Sequence, residues 1–186
     1  MAIDAPATPA LFITGPPGSR KTALAKEISE VLWRAREPHA VVDLDELCRG
    51  LLPGDAAPGF HVGLASENLA SVWSSFHRRG ARRLVVARIV ESVDELAVVG
   101  AAVPDCEIVV CRLLVETETL QRRLRHREAG SRVGFLSSVT EQLATTIGQL
   151  DLPGFAIRNS DRESITKLAL DVMHRVGWPT AAVDAS

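Results

Sequence analysis

Two kinds of apolar pattern alternate along the chain. Residues 10–14 form a short, nearly unbroken apolar run that stops at Gly15 and two prolines, and predict a buried parallel strand. In residues 22–36 the apolar positions Leu24, Ala25, Ile28, Val31, Leu32 and Ala35 recur at helical spacing, with Pro38 just beyond. The same alternation continues. Further strands are expected at 39–44, within 82–90, at 107–115 and at 155–158. Helices are expected at 61–79, 92–102, 117–128, 137–150 and 162–176, with a short one starting near Asp45. Ser92 followed three residues later by Glu95 is a helix-start signal. Residues 52–60 hold two Pro and two Gly and predict a loop, and 129–134 predict a break between helices.

Five strands alternating with helices predict an α/β fold: a parallel sheet sandwiched between helices. No internal repeat or linker interrupts the pattern. A single domain over 10–178 is expected, with a flexible leader at 1–9 and a flexible tail at 179–186. In such sheets ligands bind beyond the carboxyl ends of the strands. That directs attention to residues 15–22, 43–49, 88–91, the stretch from 116 onward, and 159–162.

Composition narrows the classes. The chain has 186 residues and a net charge of −2, which argues against a wholly basic nucleic-acid binder. Eight aromatic residues, none of them Tyr, leave little for base stacking. No apolar run approaches the roughly 20 residues of a membrane span. Residues 1–9 lack the charged and apolar regions of a secretory signal. Three cysteines with no CxxC pair fit buried thiols in a reducing, cytoplasmic setting. Of the 21 basic residues 18 are Arg, so a single Arg says little and the three Lys are worth locating.

One of those lysines stands in the chain's most specific motif. Residues 15–22 read GPPGSRKT, between a predicted strand and a predicted helix. The phosphate-loop pattern is GxxxxGK[ST], in which backbone N–H groups and a helix N-terminus cradle an oxyanion. Gly15, Lys21 and Thr22 match it, Gly18 is an additional internal glycine, and Ser19 lies between. The Lys would reach the β- and γ-phosphates and the Thr hydroxyl would ligate magnesium. Arg20 stands where the pattern has Gly. If that position requires a positive φ, a non-Gly residue is disfavoured there. Three outcomes are open: the loop tolerates Arg20 with its side chain outward, Arg20 adds a charge to the phosphates, or the nucleotide site is weakened or lost.

With this loop at its head, the chain resembles the P-loop kinases of small metabolites, among them adenylylsulfate kinase, gluconate kinase, shikimate kinase and chloramphenicol phosphotransferase. The resemblance runs from Leu11 to about Gly177. It implies a P-loop NTPase fold with a short Arg-rich lid at about 125–138. It also implies an activity that uses ATP (or another NTP) and Mg²⁺ to phosphorylate a hydroxyl of a small-molecule acceptor. The sequence Asp43-Leu44-Asp45 after the second strand is similar to the DxD-like pair of these kinases. By that likeness Asp43 would help hold magnesium and Asp45 would orient or deprotonate the acceptor. Either Asp could also simply cap a short helix. Arg49 and Arg88 would stand on the acceptor side.

The stretch 119–132 holds five Arg. Residues 123–127 are similar to the RLxxR stretch that leads into the lid of these kinases. The resemblance implies that Arg123 lies against the adenine and that Arg127 or Arg132 meets the phosphates on closure. It implies too that the turn at Asn159 wraps the base. No acid follows the third strand before Glu91, so a Walker B acid is absent or displaced. The partners expected are the acceptor alone, with no membrane and no nucleic acid, in a monomer or homodimer. Arg20 and the missing acid also motivate an alternative: a nucleotide-binding regulatory protein with a degenerate loop and no transfer activity.

Overall fold

Consecutive residues of the first strand, β1 (Thr8–Thr14), belong to opposite faces of one sheet. Ala10 and Phe12 pack into one apolar cluster, while Leu11 and Ile13 pack into another. This explains why the run is continuously apolar rather than alternating, since both faces of the strand are covered. The computed structural model describes residues 7–55, 59–127 and 132–180, without the side chains of 126, 127 and 132–139.

After β1 come α1 (Lys21–Arg34), β2 (Ala40–Asp43), α2 (Leu44–Leu47), β3 (Arg49–Gly50), β4 (Gly59–Phe60) and α3 (Val62–Arg78). The second half runs β5 (Leu84–Ala87), α4 (Val93–Gly100), β6 (Cys106–Leu114), α5 (Thr117–Arg127), α6 (Arg132–Gln149), β7 (Gly154–Arg158) and α7 (Ile165–Arg175). Five strands form a parallel sheet in the order β2-β5-β1-β6-β7. Leu69 and Trp73 of α3 and Leu96 and Val99 of α4 cover one face. Leu24, Ile28 and Leu32 of α1, with Leu168, Val172 and Met173 of α7, cover the other. Among the described residues no helix is long and apolar enough to cross a membrane.

The expected elements are present, with shifted ends. The 52–60 loop is flanked by a hairpin, in which Arg49 pairs with Phe60 and Gly50 with Gly59. Two-residue strands carry no readable periodicity, so the hydrophobic pattern gives no sign of it. The helix expected at 137 begins at Arg132 and passes through Gly134. An interior Gly costs only about 1 kcal/mol, too little to stop a helix by itself. The last helix starts at Ile165 rather than 162, because Ser164 is its N-cap and accepts a hydrogen bond from the Lys167 N–H at 3.1 Å. The Ser92 cap behaves as expected, accepting from the Glu95 N–H at 3.0 Å.

Because β5 lies between β1 and β2, while β6 lies on the other side of β1, the chain reverses its direction of winding at β1. The carboxyl end of β1 is therefore the place where an open α/β sheet leaves a crevice. The phosphate loop sits there, with the ends of β2 and β5 on one side and those of β6 and β7 on the other.

Candidate active site

The loop after β1 is wound tightly. The Ser19 N–H donates to the Pro16 carbonyl at 3.1 Å. Gly15 allows this closure: a Cβ there would stand 2.7 Å from Ser19 Oγ. Gly18 has φ 81°. Arg20 has φ 68° and ψ 29°, so the position does take the left-handed conformation for which the pattern reserves Gly. A non-Gly residue pays about 1 kcal/mol for this. The Arg20 side chain makes no hydrogen bond or ion pair with a described residue. Ser19 Oγ is buried, also without a hydrogen-bond partner among the described residues.

Lys21 opens α1 and is buried, 8% exposed. Its Nζ donates to the Gly15 carbonyl at 3.0 Å and lies 3.7 Å from Asp45 Oδ2. Thr22 is exposed, and its hydroxyl donates to Asp43 Oδ2 at 2.6 Å. Asp43 is also the N-cap of α2, accepting from the Glu46 N–H at 3.4 Å. Capping and a place beside the phosphate loop therefore coexist at this residue. No group of three or more His, Cys, Asp or Glu side chains converges among the described residues. The Thr22 hydroxyl and the Asp43 carboxylate are nonetheless a paired set of hard oxygen donors. That is the chemistry of a cation such as Mg²⁺ that keeps much of its water.

Asp45 is the most heavily engaged acid of the site. Its Oδ1 accepts from Arg88 Nη1 at 3.2 Å and from the Ile89 N–H at 3.1 Å. Its Oδ2 faces Lys21. Arg88 follows β5 directly, where a Walker B acid would stand. It is 4% exposed, and its guanidinium also bonds Glu95 and reaches Cys48 Sγ at 3.2 Å. Burial alone would lower the Arg88 pKa, but the Glu95 and Asp45 carboxylates and the Cys48 sulfur raise it. Burial pushes the Cys48 thiol up, against the pull of Arg88. Arg88 thus stands behind Asp45 rather than open to an acceptor. Arg49 is exposed on β3, 3.4 Å from Glu46 and stacked over Phe60 at 5.4 Å.

Glu95 was legible only as part of a helix start. Its carboxylate does not return to the cap residue. It accepts instead from the Glu91 N–H at 2.8 Å and from Arg88. The Ser92-x-x-Glu95 pattern gives no sign of that ion pair, which depends on β5 and α4 meeting in space.

On the other side of the loop, Arg123 of α5 donates through Nη1 to the Gly18 carbonyl at 3.1 Å. Through Nε and Nη2 it grips Asp161 Oδ1, at 2.9 and 2.6 Å. Arg122 bonds the other oxygen of Asp161. These hydrogen bonds, from Arg122 and then Arg123, hold the Asp161 carboxyl below its ordinary range. Asn159 is 3% exposed and joins Arg123 to Ser19. Beside this network lies a cleft of about 200 Å³ lined by Leu114, Val115, Thr119, Arg158, Asn159 and Ser160. The structure therefore brings Gly15, Gly18, Ser19, Arg20, Lys21, Thr22, Asp43, Asp45, Arg88, Arg123 and Asn159 around one loop. The Arg127 side chain lies outside the described residues, as do residues 128–131 of the expected lid and 1–6 and 181–186 of the leader and tail; the backbone of lid residues 125–127 belongs to α5 and that of 132–138 to α6. Asp161, in the turn after β7, is the anchor of Arg123.

No family model matches the chain, and no curated protein matches it. Solved structures do. The chain is similar to a tunicamycin resistance protein from Deinococcus radiodurans, with 20% identity, TM-score 0.64, and 94% of this chain and 98% of that one covered. It is similar to an APS kinase from Mycobacterium tuberculosis solved in complex with AMPPNP and APS, with 19% identity, TM-score 0.64, and 93% and 99% covered. It is similar to a gluconokinase from Sinorhizobium meliloti 1021, with 12% identity, TM-score 0.60, and 93% and 94% covered. At such identities the likeness shows the fold: an α/β sandwich of the kind these proteins share.

Proposed function

We propose that the protein is a phosphotransferase that uses ATP, or another NTP, to phosphorylate a hydroxyl of a small molecule in the cytoplasm. The observation that carries this reading is the place of Lys21. Its ammonium lies 3.0 Å from the Gly15 carbonyl of the loop and 3.7 Å from Asp45 Oδ2. A cation that touches both the phosphate loop and an acid beside it spans the two halves of a transfer site. Phosphoryl transfer asks the protein mainly for positioning and for charge near the transferring group.

In this reading the loop amides and Lys21 bind the phosphates. Thr22 and Asp43 would hold Mg²⁺, which when bound neutralises charge on the phosphate oxygens. Asp45 receives the acceptor hydroxyl on Oδ2, because Oδ1 is committed to Arg88 and the Ile89 N–H. The cleft between Thr119 and Asn159 is open to the base, with Arg123 at its edge and Arg127 on the helix leading toward the lid. The acceptor class spans nucleosides or nucleotides, sugar acids and antibiotic-like metabolites, with Arg49 on its side of the site. Similarity to kinases in fold supports this reading, and one of those kinases was solved with AMPPNP and APS.

The left-handed Arg20 favours a second reading, a nucleotide-binding regulator without transfer. Calorimetry with ATP, with and without Mg²⁺, followed by transfer assays over an acceptor panel, separates the two. Binding with transfer supports the kinase. Binding without transfer to any acceptor supports the regulator. Acceptor-independent phosphate release points to a hydrolase, and no nucleotide binding refutes all three.

A further inference from the structure

Two consecutive carbonyls of the phosphate loop are held by side chains from distant parts of the chain. The Ser19 carbonyl accepts from Asn159 Nδ2 at 2.7 Å, and the Gly18 carbonyl accepts from Arg123 Nη1 at 3.1 Å. Because a carbonyl oxygen cannot donate, the Ser19 contact sets the orientation of the Asn159 amide. Its Oδ1 is then the atom that meets Arg123 Nη2, at 3.4 Å. Asn159 is itself fixed by its backbone N–H, which donates to the Leu114 carbonyl at 2.9 Å. Arg123 is fixed by Asp161. The clamp is therefore rigid at both outer ends and meets the loop immediately before Arg20.

The Ser19 carbonyl and the Arg20 N–H belong to one planar trans peptide, in which they point in opposite directions. A donor that draws the carbonyl to the β7 side turns the N–H away from that side. The same peptide leads into the residue that adopts φ 68° without being Gly. Left unclamped, this peptide is free to rotate and relieve the left-handed conformation.

We propose that Asn159, with Arg123 as its brace, is a positioning residue for phosphate binding. It holds the 19–20 peptide so that the Arg20 N–H faces the phosphates, and thereby allows an Arg at the loop's glycine position. Its effect is on the phosphates rather than on the base. This inference rests on the loop binding phosphate, as proposed above.

The test is calorimetry with two probes, AMPPNP with Mg²⁺ and inorganic tripolyphosphate, on the full chain and on N159A, N159D, R20G and the double variant R20G/N159A. N159D keeps an acceptor for Arg123 but loses the donor to Ser19, so it serves if N159A does not fold. Thermal melts report folding for each. The expected result is a loss of roughly tenfold or more in affinity for both probes in N159A and N159D. In the R20G background the same change costs less than about threefold, since Gly adopts the left-handed conformation freely. Equal losses in the wild-type and R20G backgrounds overturn the inference. So does unchanged affinity, or a loss confined to AMPPNP, which would make Asn159 a base-contacting residue. In those cases the wild-type protein still binds nucleotide and the phosphotransferase reading survives. Binding of neither probe by the wild type would instead remove that reading and this one together.

Discussion

Arg88 Nη1 stands 3.2 Å from Asp45 Oδ1, joining the first residue after β5 to the acid that faces the phosphate loop. A buried cation occupies the place where a Walker B acid would be, and it restrains an acid contributed by α2. The guanidinium is shared with Glu95 and closes a buried pair that extends to α4. Removing one partner of such a pair leaves an uncompensated charge. Arg88→Met should cost about 3–5 kcal/mol in urea unfolding. Arg88→Met combined with Glu95→Leu should recover much of that loss. Equal instability of the single and double variants would contradict the pairing.

Asp45 and Lys21 should separate in their kinetic signatures. Lys21→Ala should abolish transfer, because it removes the ammonium that joins the Gly15 carbonyl of the loop to Asp45. Asp45→Asn should lower kcat by about 10²–10⁴-fold, as expected for loss of a group acting on the acceptor proton, while nucleotide affinity changes little. Steady-state kinetics beside nucleotide titration tests both. Full turnover by Lys21→Ala would sink the phosphotransferase reading.

Thr22 and Asp43 share a 2.6 Å hydrogen bond and are the proposed oxygen donors to magnesium. In Thr22→Val, ATP affinity measured in excess chelator should stay close to that of wild type. The gain in affinity on adding Mg²⁺ should shrink. A gain as large as that of wild type would remove Thr22 from the metal site.

The thiols report burial through pH. Burial pushes Cys111 up to about 12, and burial with the nearby Asp105 carboxylate pushes Cys106 up to about 11. A raised folded-state pKa favours the folded protein at pH values below the ordinary thiol value near 9.0. That contribution is lost as pH rises from about 9 through the folded values. Unfolding free energy should therefore decline across this range, and Cys111→Ala should flatten part of the decline. Under native conditions near pH 8 the thiols should react slowly with a disulfide reagent. Rapid labelling of Cys111 without unfolding would contradict this.

Gly154 begins β7 with φ 129°, and a Cβ there would lie 2.2 Å from the Val110 carbonyl oxygen. Gly154→Ala should destabilise the fold by about 2–4 kcal/mol, combining backbone strain and overpacking. A melting temperature equal to that of wild type would contradict the close approach of β7 to β6.

Local sequence was enough to define the layers and the loop. Continuous apolar runs such as residues 10–14 can be buried only if both faces of a strand are covered, and the alternating helical periods supply the cover. GPPGSRKT after the first strand singled out the loop that the proposed function assigns to phosphate binding, because the motif is local. Asp43, Asp45 and Arg123 were reachable through position and family likeness. What those residues touch emerged only from the packed fold. The left-handed φ of Arg20 comes from the closure of the loop. The commitment of Asp45 Oδ1 to Arg88, the turn of Glu95 away from its cap, and the grip of Asn159 on Ser19 span 7 to 140 residues of chain. Such contacts depend on which strand ends meet at the crevice. Periodicity and motifs record what each segment prefers locally, whereas charge pairing between segments is set only when the sheet order brings them together.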